Sequence, residues 1–168
     1  MEKIEGIDQK LIDSILNLQI RDDVKRHIDY MNTHSIDIIS IEDKEYPLLL
    51  KRIHNPPICL YIIGRKEILN EASIAIVGSR DATEYGKYVA KVFAYKLSEN
   101  GFNIVSGLAR GIDSFAHIGA INAKGKTIGV LGNGLDTIFP KENTKLAEEV
   151  IKTGGCIISE YPLGTRSR

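Results

Sequence analysis

The sequence predicts an α/β protein with a mostly parallel sheet, helices on both of its faces, and a small helical appendage at the N-terminus. Three observations lead there. Four apolar runs each end abruptly in small and polar residues: Ile74–Val77 into Gly78-Ser79-Arg80, Ile104-Val105 into Ser106-Gly107, Ile128–Leu131 into Gly132-Asn133-Gly134, and Ile157-Ile158 into Ser159-Glu160. A helical pattern follows each of the first three within a few residues. The runs recur about every 25–30 residues, which is the rhythm of βαβ units. On such sheets ligands bind beyond the carboxyl ends of the strands. The chain therefore sets Gly, Ser, Asn and Arg where an open α/β protein holds its ligand.

The elements follow in order. Ile4, Ile7, Leu11, Ile15 and Leu18 keep helical spacing, and a weaker helix runs from about Asp22 to His34. Two short helices bury too little to stand alone, so residues 1–45 are expected to form an appendage to a main domain over 46–168. Ile36–Ile41 alternates as a short strand. Tyr46-Pro47 opens a short apolar helix over Leu48–Ile53, which Asn55-Pro56-Pro57 ends, since proline disfavours helix in the residue before it. Ile58–Ile63 is a strand closing at Gly64. Glu84–Asn100 is an amphipathic helix whose stripe of Tyr85, Val89, Val92, Phe93 and Leu97 is expected to face the core, with Gly101 as its C-terminal cap. Further helices cover Gly111–Ala123 and a stretch from Lys141 or Glu142 to Thr153.

Composition bounds the class. A chain of 168 residues, 43% hydrophobic and 26% charged, is an ordinary globular composition with room for a core. No run of 18 apolar residues marks a membrane span, and the first residues lack a signal-peptide layout, so a cytoplasmic location is expected. Cys59 and Cys156 sit in strand-like runs without metal-ligand neighbours and are expected to be buried, reduced thiols. Net charge is zero, but residues 1–72 carry 10 basic against 13 acidic side chains and residues 73–168 carry 12 against 9. The second segment is mildly basic, which fits an anionic partner and fits equally a chance imbalance on a solvated surface.

The strand-end loops hold the candidate chemistry. Gly78 lets backbone approach a ligand, and Arg80 is a planar, permanently charged fork suited to phosphate oxygens; a tight turn with a solvated arginine fits the same residues. In Ser106-Gly107-Leu108-Ala109-Arg110-Gly111-Ile112-Asp113, two glycines bracket a loop into a helix. Asp113 and His117 lie four apart, either as a pair at a ligand site or as a helix cap with a surface hydrogen bond. Lys141, at a helix start, opposes the helix dipole and is easier to understand if it meets an anion, although a snorkelling surface lysine fits as well. The dinucleotide fingerprint, the Walker-A lysine motif, the G-x-S-x-G elbow and metal-site spacing are all absent, so neither NAD nor ATP is supported and no metal, cofactor or catalytic residue is expected. Phosphate donors are plentiful and catalytic pairs few, which favours a binder over an enzyme.

Several motifs in order resemble one family. They are Ile76-Val77-Gly78-Ser79-Arg80 with Tyr85-Gly86; Val105 to Asp113 with Ala116-His117; Gly134-Leu135-Asp136 with Phe139-Pro140 and Asn143; and Ile158-Ser159-Glu160-Tyr161-Pro162. Over about residues 45–165 the chain resembles the DNA-processing protein A family (DprA/Smf). The resemblance implies a Rossmann-like domain binding single-stranded DNA without sequence preference in natural transformation, protecting incoming strands and helping to load the RecA recombinase. It implies phosphate binding by Arg80 and Lys141, with Ser79, Ser106 and Gly107 lining the same pocket. Gly78 and Arg110 are counted among the phosphate-binding candidates, and with few aromatics in these loops stacking is expected to be limited, with Phe139 as its platform. It also implies strands and helices beyond the Ser-Glu-Tyr-Pro-Leu-Gly segment, so the Rossmann-like domain is expected to be incomplete at its C-terminus, and a homodimer is expected of the full-length form. Rival readings are a nucleotide-binding enzyme such as a nucleoside-monophosphate phosphoribohydrolase, whose Pro-Gly-Gly-x-Gly-Thr-x-x-Glu signature is absent, and a nucleotide-sensing module.

Overall fold

A computed structural model describes residues 22–167. The helix expected over Ile4–Leu18 lies outside the described residues. Six strands form one sheet: β1 Ile36–Ser40, β2 Cys59–Gly64, β3 Ser73–Ala75, β4 Asn103–Ser106, β5 Thr127–Leu131 and β6 Cys156–Ser159. Among the described residues four α-helices accompany the sheet: α1 Asp22–Thr33, α2 Glu84–Glu99, α3 Ile112–Asn122 and α4 Thr144–Lys152. The spatial order is β1-β2-β6-β5-β4-β3. β3 to β6 run parallel, and β2 and β1 close the far side antiparallel.

The α/β architecture read from the sequence is present, and its details follow from connection rules. β3, β4, β5 and β6 are laid down side by side in chain order. Right-handed crossovers that advance in one direction set each helix on the same face. Ile104 of β4 accordingly packs with Ala94 of α2 and Ala116 and Ala120 of α3, and Ile157 of β6 packs with Ala147 and Val150 of α4. Tyr30 and Met31 of α1 join that side. Helices were expected on both faces; among the described residues the α-helices share one. The opposite face is lined by Ile128, Ile158 and Leu60 and is partly roofed by Tyr46, Leu50 and the 3-10 turn Lys66–Asn70. Leu48, Leu49, Val105 and Val130 border a broad apolar groove on that face.

Three local expectations change in the folded chain. β1 lies in the stretch read as a helical appendage, yet it pairs with β2 from Ile36↔Ile63 to Ser40↔Cys59 and so belongs to the main sheet. The short helix over Leu48–Ile53 shrinks to a 3-10 turn, Leu50–Arg52. In α2 the buried positions are Ala90, Ala94 and Ser98, whereas Tyr85 and Phe93 are 78% and 62% exposed. Gly119 of α3 explains this: a Cβ there would lie 2.8 Å from Ala94 Cβ. The two helices approach so closely that only small side chains fit between them, and small-residue packing overrides the apolar stripe. Cys156 is fully buried, and burial pushes its thiol up to about 12, an unreactive state. Cys59 is half-buried, and both thiols are free.

Candidate functional site

A cleft of about 470 Å³ opens at the carboxyl ends of β4, β5 and β6. Its walls come from segments far apart in sequence: Arg80 after β3, Gly107, Ala109 and Arg110 after β4, Gly132, Asn133 and Phe139 after β5, and Tyr161, Thr165 and Arg166 after β6. Phe139 and Tyr161 are 49% and 38% exposed, so two ring faces are available at its rim.

The loop after β4 is held from within. Ser106 is buried, and its hydroxyl donates to the Ile76 carbonyl at 2.6 Å. The Gly107 N–H donates to Asp113 Oδ2 at 3.0 Å, and a Cβ on Gly107 would lie 2.6 Å from that oxygen. Asp113 thus folds back on the loop and neither caps the helix nor pairs with His117. The His117 imidazole is fully buried with Nδ1 2.7 Å from Thr127 Oγ1, and burial lowers it to about 4. Asn143 Nδ2 donates to the Leu108 and Ala109 carbonyls and to Ser114 Oγ, tying the loop to the turn before α4. Gly111 takes φ +73°, where a side chain would strike the Ser79 carbonyl, so the loops after β3 and β4 are stacked backbone to backbone.

The expected site residues therefore divide. Arg80, Gly107 and Arg110 line the cleft; Gly78, Ser79, Ser106 and Lys141 do not. Gly78 allows Ile112 to approach, since a Cβ there would lie 2.7 Å from Ile112 Cγ1. Ser79 Oγ accepts from the Asp81 N–H at 3.1 Å. Lys141 is exposed on the 3-10 turn Lys141–Asn143, ahead of α4, and not at the start of an α-helix. Arg110 pairs with Glu142, whose carboxyl is held below the usual range first by its own backbone N–H and then by the guanidinium. Among the described residues no ion pair occupies Arg80.

Asn133 is placed by the sequence only as part of a strand-end loop, and roles for Tyr161, Thr165 and Arg166 do not emerge from it. Tyr161 stands just past a strand end, which is a usable signal; Arg166 has none, because contacts distant in sequence bring it in. The Gly134 N–H donates to the Thr165 carbonyl at 3.0 Å, and the Gly164 N–H donates to Asp136 Oδ1 at 2.8 Å. These bonds strap the tail against the loop after β5. Ser159 Oγ donates to the Asn133 carbonyl at 2.7 Å and accepts from the Tyr161 N–H at 3.0 Å, which sets the tyrosine beside the cleft.

Fold and cleft together define a Rossmann-like α/β protein with a basic, aromatic-rimmed site at the carboxyl edge of its sheet. The chain belongs to the DNA recombination-mediator protein A family, whose model matches residues 37–168. It is 35% identical over 168 residues to protein Smf of Synechocystis sp., covering 98% of this chain and 42% of that protein. It is 42% identical over 132 residues to the DNA processing protein DprA of Bacillus subtilis, covering 78% of this chain and 44% of that one. Among solved structures, DprA of Streptococcus pneumoniae superposes with a TM-score of 0.73 at 31% identity, covering 93% of this chain and 52% of that one. The DNA processing protein A of Helicobacter pylori, studied for its single-stranded DNA binding mode, superposes with a TM-score of 0.67 at 30% identity, covering 79% and 59%. The chain thus spans less than half the length of the two relatives compared by sequence. No helix among the described residues is long and apolar enough to cross a membrane.

Proposed function

We propose that this chain binds single-stranded DNA without sequence preference, taking the sugar–phosphate backbone along the carboxyl edge of its sheet. The observation that carries this reading is the convergence of Arg80, Arg110 and Arg166, from three separate segments, on one cleft rimmed by Phe139 and Tyr161. Guanidinium groups meet phosphates bidentately, and exposed rings stack on any base. The single-stranded DNA binding mode of the Helicobacter pylori relative supports the same ligand class. The cleft is read as a binding site without chemistry of its own. Family membership extends the proposal to the cytoplasmic role of the whole protein in transformation: protecting incoming strands and helping to load RecA, with a homodimer as the full-length form.

The test is anisotropy with labelled oligo-dT over a salt series, for the parent chain, Arg80→Ala and Lys141→Ala, with a duplex of equal length alongside. Single strands are expected to bind more tightly than duplex. Arg80→Ala is expected to weaken binding about tenfold and to flatten the log–log salt slope by about 0.7, the loss of one phosphate contact. Lys141→Ala, outside the cleft, is expected to do less. Variants that both bind like the parent at every salt concentration overturn the assignment, as does release of free base from nucleoside monophosphates.

A further inference from the structure

Asn133 lines the cleft yet is only 3% exposed, and its backbone is fixed by the bond from Ser159 Oγ to its carbonyl. Its Nδ2 donates to the Gly134 carbonyl at 2.9 Å and to the Thr137 carbonyl at 2.6 Å. Both partners only accept, so the amide cannot be turned over; the nitrogen must face the loop and the oxygen must face away. Among the described residues Oδ1 has no hydrogen-bond partner, and it is not one of the sealed orphan atoms, which are Ser98 Oγ and His117 Nε2. It is a nearly buried acceptor, held in place through its own amide nitrogen, on a residue that lines the cleft.

A carbonyl oxygen repels phosphate oxygens, so this part of the cleft does not suit the DNA backbone. It suits an N–H donor on a group held near the aromatic rim. We infer that Asn133 Oδ1 accepts a hydrogen bond from the unpaired Watson–Crick edge of a nucleobase seated in the cleft. This deepens the proposed function and rests on it.

The chemistry explains how such a contact tolerates any sequence and still senses strandedness. Every base offers an N–H on that edge: thymine its ring N3–H, guanine its ring N1–H and exocyclic amine, adenine and cytosine their exocyclic amines. One acceptor is met by each of them. In a duplex the ring N–H of thymine and guanine is engaged by the complementary base and cannot reach a protein acceptor. Unstacked single strands present it freely, as in other single-strand readers. Arginines at the cleft hold phosphate in either form of DNA, whereas the ring N–H of thymine or guanine reaches Asn133 only when the base is unpaired.

The experiment compares three labelled oligonucleotides of one length on the parent chain: oligo-dT, oligo-dT with N3-methylthymine throughout, and an abasic strand. Oligo-dT is expected to bind about fivefold more tightly than the N3-methyl strand, one neutral hydrogen bond, with the salt slope unchanged because the phosphate contacts are the same. The abasic strand is expected to be weaker still. Asn133→Ala, its fold checked by thermal melting, is expected to bind oligo-dT and its N3-methyl form equally. Equal binding of both strands to the parent overturns the inference and leaves phosphate binding intact. A methyl penalty that persists in Asn133→Ala is steric and overturns it as well. Failure of all three strands to bind overturns the phosphate reading and this one together. Free thymidine monophosphate that binds as tightly as the oligonucleotide assigns the site to a mononucleotide and overturns the single-strand reading.

Discussion

Two loops at the same edge of the sheet behave in opposite ways. Ser106–Gly111, after β4, has its hydroxyl, its Gly107 N–H and its Leu108 and Ala109 carbonyls engaged by groups of its own fold. The segments after β5 and β6 turn Asn133, Phe139, Tyr161 and Arg166 toward the cleft. The first loop lies between the start of α3 and the turn before α4, where backbone groups are shielded from water and must be satisfied internally. The second is made by two segments meeting at the open edge, where polar groups and rings face solvent. The backbone of one loop is a brace, with only the Arg110 side chain offered to the cleft, and the other is a receptor, although both follow parallel strands and both contain glycine. The donor types in a loop are therefore a poor guide to which donors remain for a ligand.

That contrast separates stability effects from binding effects. The largest expected effect comes from His117, packed beneath the braced loop against Thr127. The unfolded imidazole takes up a proton near pH 6.5 and the folded one only near 4, so between those values the unfolded state binds more protons. Stability is complete above pH 6.5 and falls as pH is lowered toward 4, by about 3 kcal/mol in all. Urea midpoints from pH 7.5 to 4.5 should show the fall, and His117→Gln should flatten it; a wild-type profile level over that range breaks this account.

Next in size is Asp113→Ala, which leaves the Gly107 N–H without its acceptor. A loss of about 2 kcal/mol is expected in urea unfolding, with oligo-dT affinity within twofold of the parent. The opposite pattern, unchanged stability with altered affinity, would move this loop from brace to receptor. The smallest effect is that of Glu142→Gln, which releases Arg110 at the cleft rim. Oligo-dT should bind about twofold more tightly at low salt, and the gain should vanish at high salt, where exposed charges are screened. A gain that survives high salt would mean that Glu142 acts on the loop geometry instead.

Much of this was legible residue by residue. Strand-end punctuation located β3 to β6, and the helical spacing after each of the first three located α2, α3 and α4. The motif order identifies the family, and of the seven residues expected to bind phosphate Arg80, Gly107 and Arg110 fall at the cleft. The outward turn of Tyr85 and Phe93 was not legible, because it depends on how closely Gly119 lets α3 approach α2. Nor was the commitment of Ser106 and Gly107, since a hydroxyl or N–H reads the same in sequence whether it meets Ile76, Asp113 or a phosphate.

The sequence by itself determined the periodicities and the chemistry on offer: apolar runs of strand length, helical stripes, glycines at the turns, and arginines after the strand ends. These are local properties, fixed by backbone sterics and by side-chain type. Only the tertiary structure decided that β1 joins the main sheet, that the α-helices share one face, and that the tail brings Tyr161 and Arg166 beside Asn133. Those outcomes depend on which distant groups meet, and hydrogen-bond satisfaction and close packing settle that only once the whole chain has closed around its core.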